Sequence, residues 1–227
     1  MGVKQEVGRK GSLRWIQCLV NERPELVEDE LRGAVQSTAR IEWVSPLVDE
    51  DLAEYRDEEA VSRLGLELSV RPLRDFWPSR GPQWDALARS GEKAILVEAK
   101  AHVPEMFSGA CGAESEASRR MIREALEETK RWLGAKPGLD WMERFYQYGN
   151  RLAHLYFLRE VNQVDAHLVF VNFLGDHDVG GPDDPAVWRA ATEVLHEALG
   201  IRGRVPNSVH EVFVDTTDLK GISLELP

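Results

Sequence analysis

Three ionisable side chains stand at alternate positions in residues 95–102, which read Ile-Leu-Val-Glu-Ala-Lys-Ala-His. The apolar, β-branched start of this segment is typical of a buried strand. Because side chains alternate along a strand, Glu98, Lys100 and His102 should share one face. A carboxylate beside an ammonium group can bind a metal ion and orient a water molecule. This segment is therefore the centre of a candidate site.

The turn before this strand places a second carboxylate, that of Asp85. Gly91 and Glu92 suit a two-residue type II′ turn, which favours glycine in its first central position. The resulting register puts Asp85 opposite Glu98. A four-residue loop with the same centre gives the same pairing, whereas a loop of three or five residues does not. Two carboxylates that face each other repel, so we expect a divalent cation between them.

Such a site suits metal-assisted hydrolysis of a phosphodiester. Mg²⁺ or Mn²⁺ takes carboxylate and phosphate oxygens as ligands, and it stabilises the charge that develops on the phosphate. Lys100, one pleat from Glu98, would activate or orient the attacking water.

These residues resemble the PD-(D/E)xK nuclease superfamily, in which a β-hairpin carries an aspartate and an E-x-K tripeptide. Here Asp85 precedes a short loop and the tripeptide Glu98-Ala99-Lys100, and Trp84 stands where the superfamily has its proline. The resemblance implies a metal-dependent nuclease that cleaves DNA and leaves 5′-phosphates.

The resemblance also implies a ligand set. Asp85, Glu98 and the carbonyl of Ala99 would hold Mg²⁺ or Mn²⁺, and Glu54, expected on the helix before the strands, would be the accessory acid. Gln147 and Arg151 resemble the Q-x-x-x-(Y/R) element that some nuclease branches place beside the E-x-K strand, and Gln147 would be catalytic.

A polar stripe marks the segment Leu139–Arg159, which we predict to be a largely buried helix. Gln147, Asn150, Arg151 and His154 follow each other at spacings of three and four residues, so they lie on one side of a helix. Buried polar groups need partners, and a site over the hairpin would supply them. Arg151 and Asn150, with His102 on the strand, are our candidates for substrate binding.

The remaining pattern predicts a single α/β domain over residues 1–227, with a mixed central sheet flanked by helices on both faces. We expect a restriction-endonuclease-like core over about 51–174, in the order helix, three strands, helix, strand. An N-terminal helical segment broken at Pro24 precedes this core, and a helix and a strand follow it. The predicted helices are 12–34, 51–65 with Asp49 or Asp51 as N-cap, 115–134, 139–159 and 184–199. The predicted strands are 41–47, 66–73, 83–89, 95–102, 167–173 and 211–215.

The composition constrains the partners. A net charge of -11 excludes DNA binding through the overall electrostatic field, so nucleic acid must be contacted locally. No apolar run is long enough to span a membrane, and two cysteines without CxxC spacing suggest no zinc site. We therefore expect a cytoplasmic protein without membrane contacts.

Two alternatives remain open. The acidic charge favours a nuclease-fold protein that no longer cleaves and instead binds nucleic acid or a protein. The third reading is a metal-dependent hydrolase that acts on a small phosphate ester.

Overall fold

In the computed structural model, which describes residues 2–224 and 226, a five-stranded mixed β-sheet lies at the centre of the chain. The first three strands pair antiparallel, and the third, fourth and fifth pair parallel. The prediction of an α/β chain with a mixed central sheet is confirmed. In chain order, which is also their order in the sheet, the strands are β1 (Glu42–Ser45), β2 (Ala86–Ser90), β3 (Lys93–Lys100), β4 (Ala166–Leu174) and β5 (Val209–Asp215).

The β2–β3 hairpin has the predicted register. Ser90 pairs with Lys93 and Leu87 pairs with Leu96, so Gly91 and Glu92 form the two-residue turn. Gly91 has a φ of 61°, in the left-handed region that only glycine adopts without strain. The short loop therefore sets which residues of the two strands face each other.

Helices cover both faces of the sheet, as predicted, and each face has its own apolar core. The helices on one face are α1 (Gly11–Glu22) and α2 (Glu25–Ala34). Those on the other are α3 (Asp57–Arg63), α4 (Glu116–Leu133), α5 (Tyr146–Tyr156) and α6 (Pro185–Leu199). All nine residues of β4 are buried, which confirms the prediction of a central strand covered on both sides.

Several predicted helix boundaries are confirmed by their capping residues. α1 and α2 are separated at Pro24, which precedes the first residue of α2. The Ser115 hydroxyl accepts a hydrogen bond from the Ser118 N–H and caps α4, which ends at Gly134 with a φ of 61°. Asp184 caps α6 in the same way. These ends follow from local side-chain chemistry.

The predicted helix over 51–65 is wrong in its first half. Asp51 and Leu52 have φ values of 55° and 52°, which a right-handed helix cannot contain, and Glu54 pairs instead with Val3 in an isolated bridge. Arg56, not Asp49 or Asp51, is the residue that precedes the helix.

The predicted strand over 66–73 is also wrong. The side chain of Asn162 accepts hydrogen bonds from the N–H groups of Val70 and Arg71, at 3.2 and 3.1 Å, so this backbone is satisfied outside the sheet. The sheet position beside β2 belongs to β1. The first of the three antiparallel strands therefore lies before α3, not after it.

The helix predicted over 139–159 begins later than expected. Phe145 has a φ of 53° and separates the turns before it from α5, which continues as a π-helical turn over Phe157–Val161. The polar stripe lies within α5, and its burial is confirmed for Asn150, Arg151 and His154.

Within the described part of the chain, every helix is too short or too polar to cross a bilayer.

Candidate functional site

Strand β3 carries Glu98 and Lys100 on the face that α4 and α5 cover. Leu96, on the same side, belongs to the core on that face, whereas Val97 and Ala99 belong to the opposite core. Only 1% of Glu98 and 8% of Lys100 are exposed. The Lys100 ammonium donates to Glu98 Oε1 and, at 3.1 Å, to Gln147 Oε1.

Asp85 lies one residue before β2. The ladder is observed as far as Ala86 and Val97, and one further step puts Asp85 opposite Glu98. Its Oδ2 accepts a hydrogen bond from the Ala99 N–H at 2.7 Å. The aspartate is thereby anchored to the backbone of the E-x-K tripeptide.

Glu54 reaches this region from the extended segment before α3, not from a helix. It is 5% exposed, and its Oε2 accepts hydrogen bonds from the side chains of Gln83 and, at 3.2 Å, Gln5. The bridges Val3–Glu54 and Tyr55–Trp84 hold this segment beside the hairpin. The prediction that Glu54 lies on a helix is wrong, because the residue pairs with Val3 in an isolated bridge before α3.

Arg151 on α5 connects the helix to the strand. Its Nε donates to Glu98 Oε2 at 2.6 Å, one terminal nitrogen donates to the Gln83 carbonyl at 2.8 Å, and the other donates to Asn150 Oδ1 at 3.2 Å. Its guanidinium lies 4.7 Å from the Trp84 ring centre, a cation–π distance. Glu98 is thus held between two cations, Arg151 and Lys100.

The three carboxylates perturb each other. Burial, followed by repulsion from Glu98, raises the pKa of Asp85 to about 8. Burial also raises the pKa of Glu54 to about 7, against the lowering effect of the Gln83 hydrogen bond and with a smaller increase from Glu98. Acids whose pKa values are raised by burial and by a specific charged neighbour, and which line a cleft, are candidates for a functional site.

The pKa of Glu98 shifts in the opposite direction, to a lower value. Burial tends to raise its pKa, but the adjacent Arg151 and Lys100 outweigh burial and hold it below the ordinary value. Burial likewise tends to lower the pKa of Lys100, but Glu98 and Asp85 outweigh it and raise the value. Glu98 is therefore ionised, and Lys100 carries its proton.

Two cavities meet at this cluster. An open cleft of about 520 Å³ is lined by Glu54 and Asp85, and also by Gln147, Asn150 and Arg151. Behind it, a space of about 20 Å³, enough for one water, is lined by Glu98 and Lys100 among others. Gln147 and Arg151 line both, so the two spaces adjoin at these side chains.

The donor chemistry of the cluster suits a hard divalent cation, since Glu54, Asp85, Glu98 and the Ala99 carbonyl offer only oxygen. The arrangement is not a ready-made metal centre. Among the described residues, no three His, Cys, Asp or Glu side chains are grouped as metal ligands. Both oxygens of Glu98 already face cationic groups, so a metal ligand role for Glu98 requires one of these partners to move.

His102 is not brought to the cleft. Its Nδ1 lies 2.8 Å from Glu105 Oε1, three residues further on. His154, the last member of the polar stripe, is packed against Trp77 and Trp84. Burial lowers the pKa of His154 to about 3, so this histidine is neutral.

Two contributors were missed from the sequence, Gln83 and Trp84. Gln83 contacts Glu54 through its side chain and Arg151 through its carbonyl, and Trp84 supports the Arg151 guanidinium. A signal existed for Gln83, because it lies two residues before Asp85 and so follows the same alternation.

Comparisons with protein-family models, with curated proteins and with solved structures found no match for this chain. The geometry of the cluster itself therefore carries the functional argument.

Proposed function

We propose that the chain is a metal-dependent phosphodiesterase of the PD-(D/E)xK type that cleaves DNA. The observation that carries the proposal is the convergence of Asp85, Glu98 and Glu54 beside Lys100. Three carboxylates in one region, with Glu54 and Glu98 buried and Asp85 half-buried, are destabilising unless positive charge or protonation offsets their repulsion and desolvation. A pure packing role gives no reason to collect them.

The element order supports a restriction-endonuclease-like core if it is counted from α1 instead of residue 51. Helices α1 and α2, strands β1 to β3, helices α4 and α5, and strand β4 then follow in the order helix, three strands, helix, strand. Helix α3 is an insertion between β1 and β2.

In this proposal Asp85, Glu98, the Ala99 carbonyl and Glu54 would hold Mg²⁺ or Mn²⁺, which supplies Lewis-acid activation of the phosphate when bound. Lys100 orients the attacking water through an N–H that its bonds to Glu98 and Gln147 leave free, since an ammonium group has three donors.

Two residues of α5 position the reacting groups. Gln147 holds the Lys100 ammonium at 3.1 Å, and Arg151 aligns Glu98 through the 2.6 Å bond from its Nε. Asn150, which accepts from Arg151 at 3.2 Å, lines the cleft where the substrate would lie.

One observation favours the second candidate, a nuclease-fold protein that binds without cleaving. Glu98 is ion-paired with both Lys100 and Arg151, so its charge is already balanced without a metal. In that case the cluster is a structural network and the cleft alone is functional.

A cleavage assay with a matched lysine control tests the proposal. Plasmid and single-stranded DNA are incubated with Mn²⁺ and wild-type protein, Lys100→Ala or Lys93→Ala. Lys93, at the other end of β3, is paired with Asp165. We expect Lys100→Ala to lose cleavage by about 100-fold or more and Lys93→Ala to retain it.

Equal activity in the wild type and Lys100→Ala would contradict the proposal. Calorimetry separates the remaining candidates, because a protein that takes up no Mn²⁺ fits the non-cleaving module. Turnover of nucleotides without cleavage of polymers would identify a small phosphate ester hydrolase.

A further inference from the structure

The open cleft has a charge that is unsuited to duplex DNA. Its acidic lining residues are Glu54, Asp85 and Glu105, and Arg151 is the only basic residue among the described ones that line it. Arg151 is already bonded to Glu98. Since affinity for a duplex depends on several Lys and Arg contacts to phosphates, another interaction must hold the substrate.

An exposed aromatic ring lies on the loop that lines one side of the cleft. Phe107 is 61% exposed, and it directly precedes Ser108 and Gly109, which line the cleft. A Cβ atom at Gly109 would meet nothing within 4 Å, so the space next to this loop is open. In contrast, Trp77 and Trp84 are 3% exposed and cannot stack with a ligand.

The loop holds Phe107 in a defined place. The N–H of Phe107 donates to the Pro104 carbonyl at 3.0 Å, and its ring centre lies 5.3 Å from that of Phe145. The neighbouring Ser108 hydroxyl accepts a hydrogen bond from the Gln147 N–H at 2.8 Å. The exposed ring is thereby tied to the helix that carries Gln147 and Arg151.

We propose that Phe107 is a stacking platform for an unpaired base, and that the cleft takes single-stranded rather than duplex nucleic acid. The inference rests on the proposed function, because that function makes the ligand a nucleic acid. Every base has a flat face, so stacking on an aromatic ring needs neither sequence recognition nor a basic groove. In a duplex that face is covered by neighbouring base pairs. A cleft of about 520 Å³ is within the usual range for small-ligand sites.

Binding is measured separately from cleavage. The full chain is titrated, in EDTA and again in Ca²⁺, into a fluorescently labelled ten-nucleotide single strand and into the blunt duplex of the same sequence, and anisotropy is recorded. We expect the single strand to bind at least tenfold more tightly than the duplex. Phe107→Ala should weaken single-strand binding about tenfold, and Phe107→Trp should preserve it.

Val70→Ala is the matched control, because Val70 is 65% exposed and does not line the cleft. Circular dichroism checks that each variant is folded. The inference is overturned if the duplex binds as tightly as the single strand, if neither binds, or if Phe107→Ala behaves like Val70→Ala.

The two proposals fail in different ways. Single-strand binding that depends on Phe107, without cleavage in Mn²⁺, removes the enzyme and leaves the stacking site. Cleavage that depends on Lys100 and is unchanged in Phe107→Ala, with equal rates on both substrates, removes the stacking site and leaves the enzyme.

Discussion

Both faces of β3 are buried, but they differ in the chemistry of their side chains. Towards α1 and α2 the strand presents Ile95, Val97 and Ala99, which pack in an apolar core. Towards α4 and α5 it presents Leu96, then Glu98 and Lys100, which are nearly as buried. The first face stabilises the fold through apolar burial. The second contains charges whose desolvation has to be offset by partners, so its stability depends on each partner being present.

Removing Arg151 should produce the largest loss of stability, because Glu98 then loses one of its two cationic partners. Arg151→Met keeps much of the side-chain length but leaves Glu98 with Lys100 as its one ion-pair partner. We expect a loss of about 3 kcal/mol in the free energy of unfolding, measured by urea denaturation at pH 7.

The double variant Arg151→Met, Glu98→Gln sharpens the comparison. Because the Glu98 charge that Arg151 balances is then absent, the loss of stability in the double variant should be smaller than the sum of the two single losses. Additive losses would show that the polar face behaves like the apolar one, and the contrast between the faces would not hold.

The second effect is a pH dependence that the polar face alone should show. The pKa of Asp85 is raised in the folded state from 3.8 to about 8. The folded state therefore keeps a proton that the unfolded state releases. Its stabilising contribution is complete below about pH 4 and is lost as the pH rises through about 8.

Asp85→Asn should remove this part of the pH dependence. We expect the stability difference between wild type and variant to change by roughly 2 kcal/mol between pH 6 and pH 8, measured from urea midpoints. The same measurement on Asp165→Asn is the control, because Asp165 is partly exposed. Hydrogen bonds from Lys93 and Arg159 outweigh the effect of burial and lower the pKa of Asp165. A flat difference for Asp85→Asn would mean that Asp85 is not protonated in the folded state.

The smallest effect belongs to the apolar face. Ile95→Val removes one methylene group from a fully buried side chain and should cost about 1 kcal/mol, with no dependence on pH or on added Mn²⁺. Thermal unfolding at pH 5 and pH 9 checks this. A pH-dependent loss would indicate that the two faces are coupled through the strand.

Local chemistry allowed much of the fold to be predicted. The Gly91-Glu92 turn sets the hairpin register, and Ser115, Gly134 and Asp184 define helix ends, because these signals act within a few residues. The helix predicted over 51–65 is wrong in its first half because a contact distant in sequence overrides the local pattern. Its periodicity is that of a helix, but Glu54 is held extended by Val3, about fifty residues away in sequence.

The candidate site likewise contains some residues that local sequence predicts and some contacts that it does not. Asp85, Glu98 and Lys100 were found because a hairpin relates them through a short loop. The pairing of Glu98 with Arg151 joins residues 53 positions apart and depends on how α5 packs on the sheet. No local pattern identifies Arg151 as the cation that occupies a Glu98 oxygen, or Phe107 as an exposed ring while Trp84 is buried.

The sequence alone thus determined the alternation along β3, the turn that aligns Asp85 with Glu98, and most helix boundaries, since each depends on neighbours along the chain. Only the tertiary structure decided that Arg151 and Lys100 share Glu98, that Glu54 lies on an extended segment, and that Phe107 is exposed on the loop that lines the cleft. These contacts result from the packing of distant elements on the sheet, and local propensity contains no information about such distances.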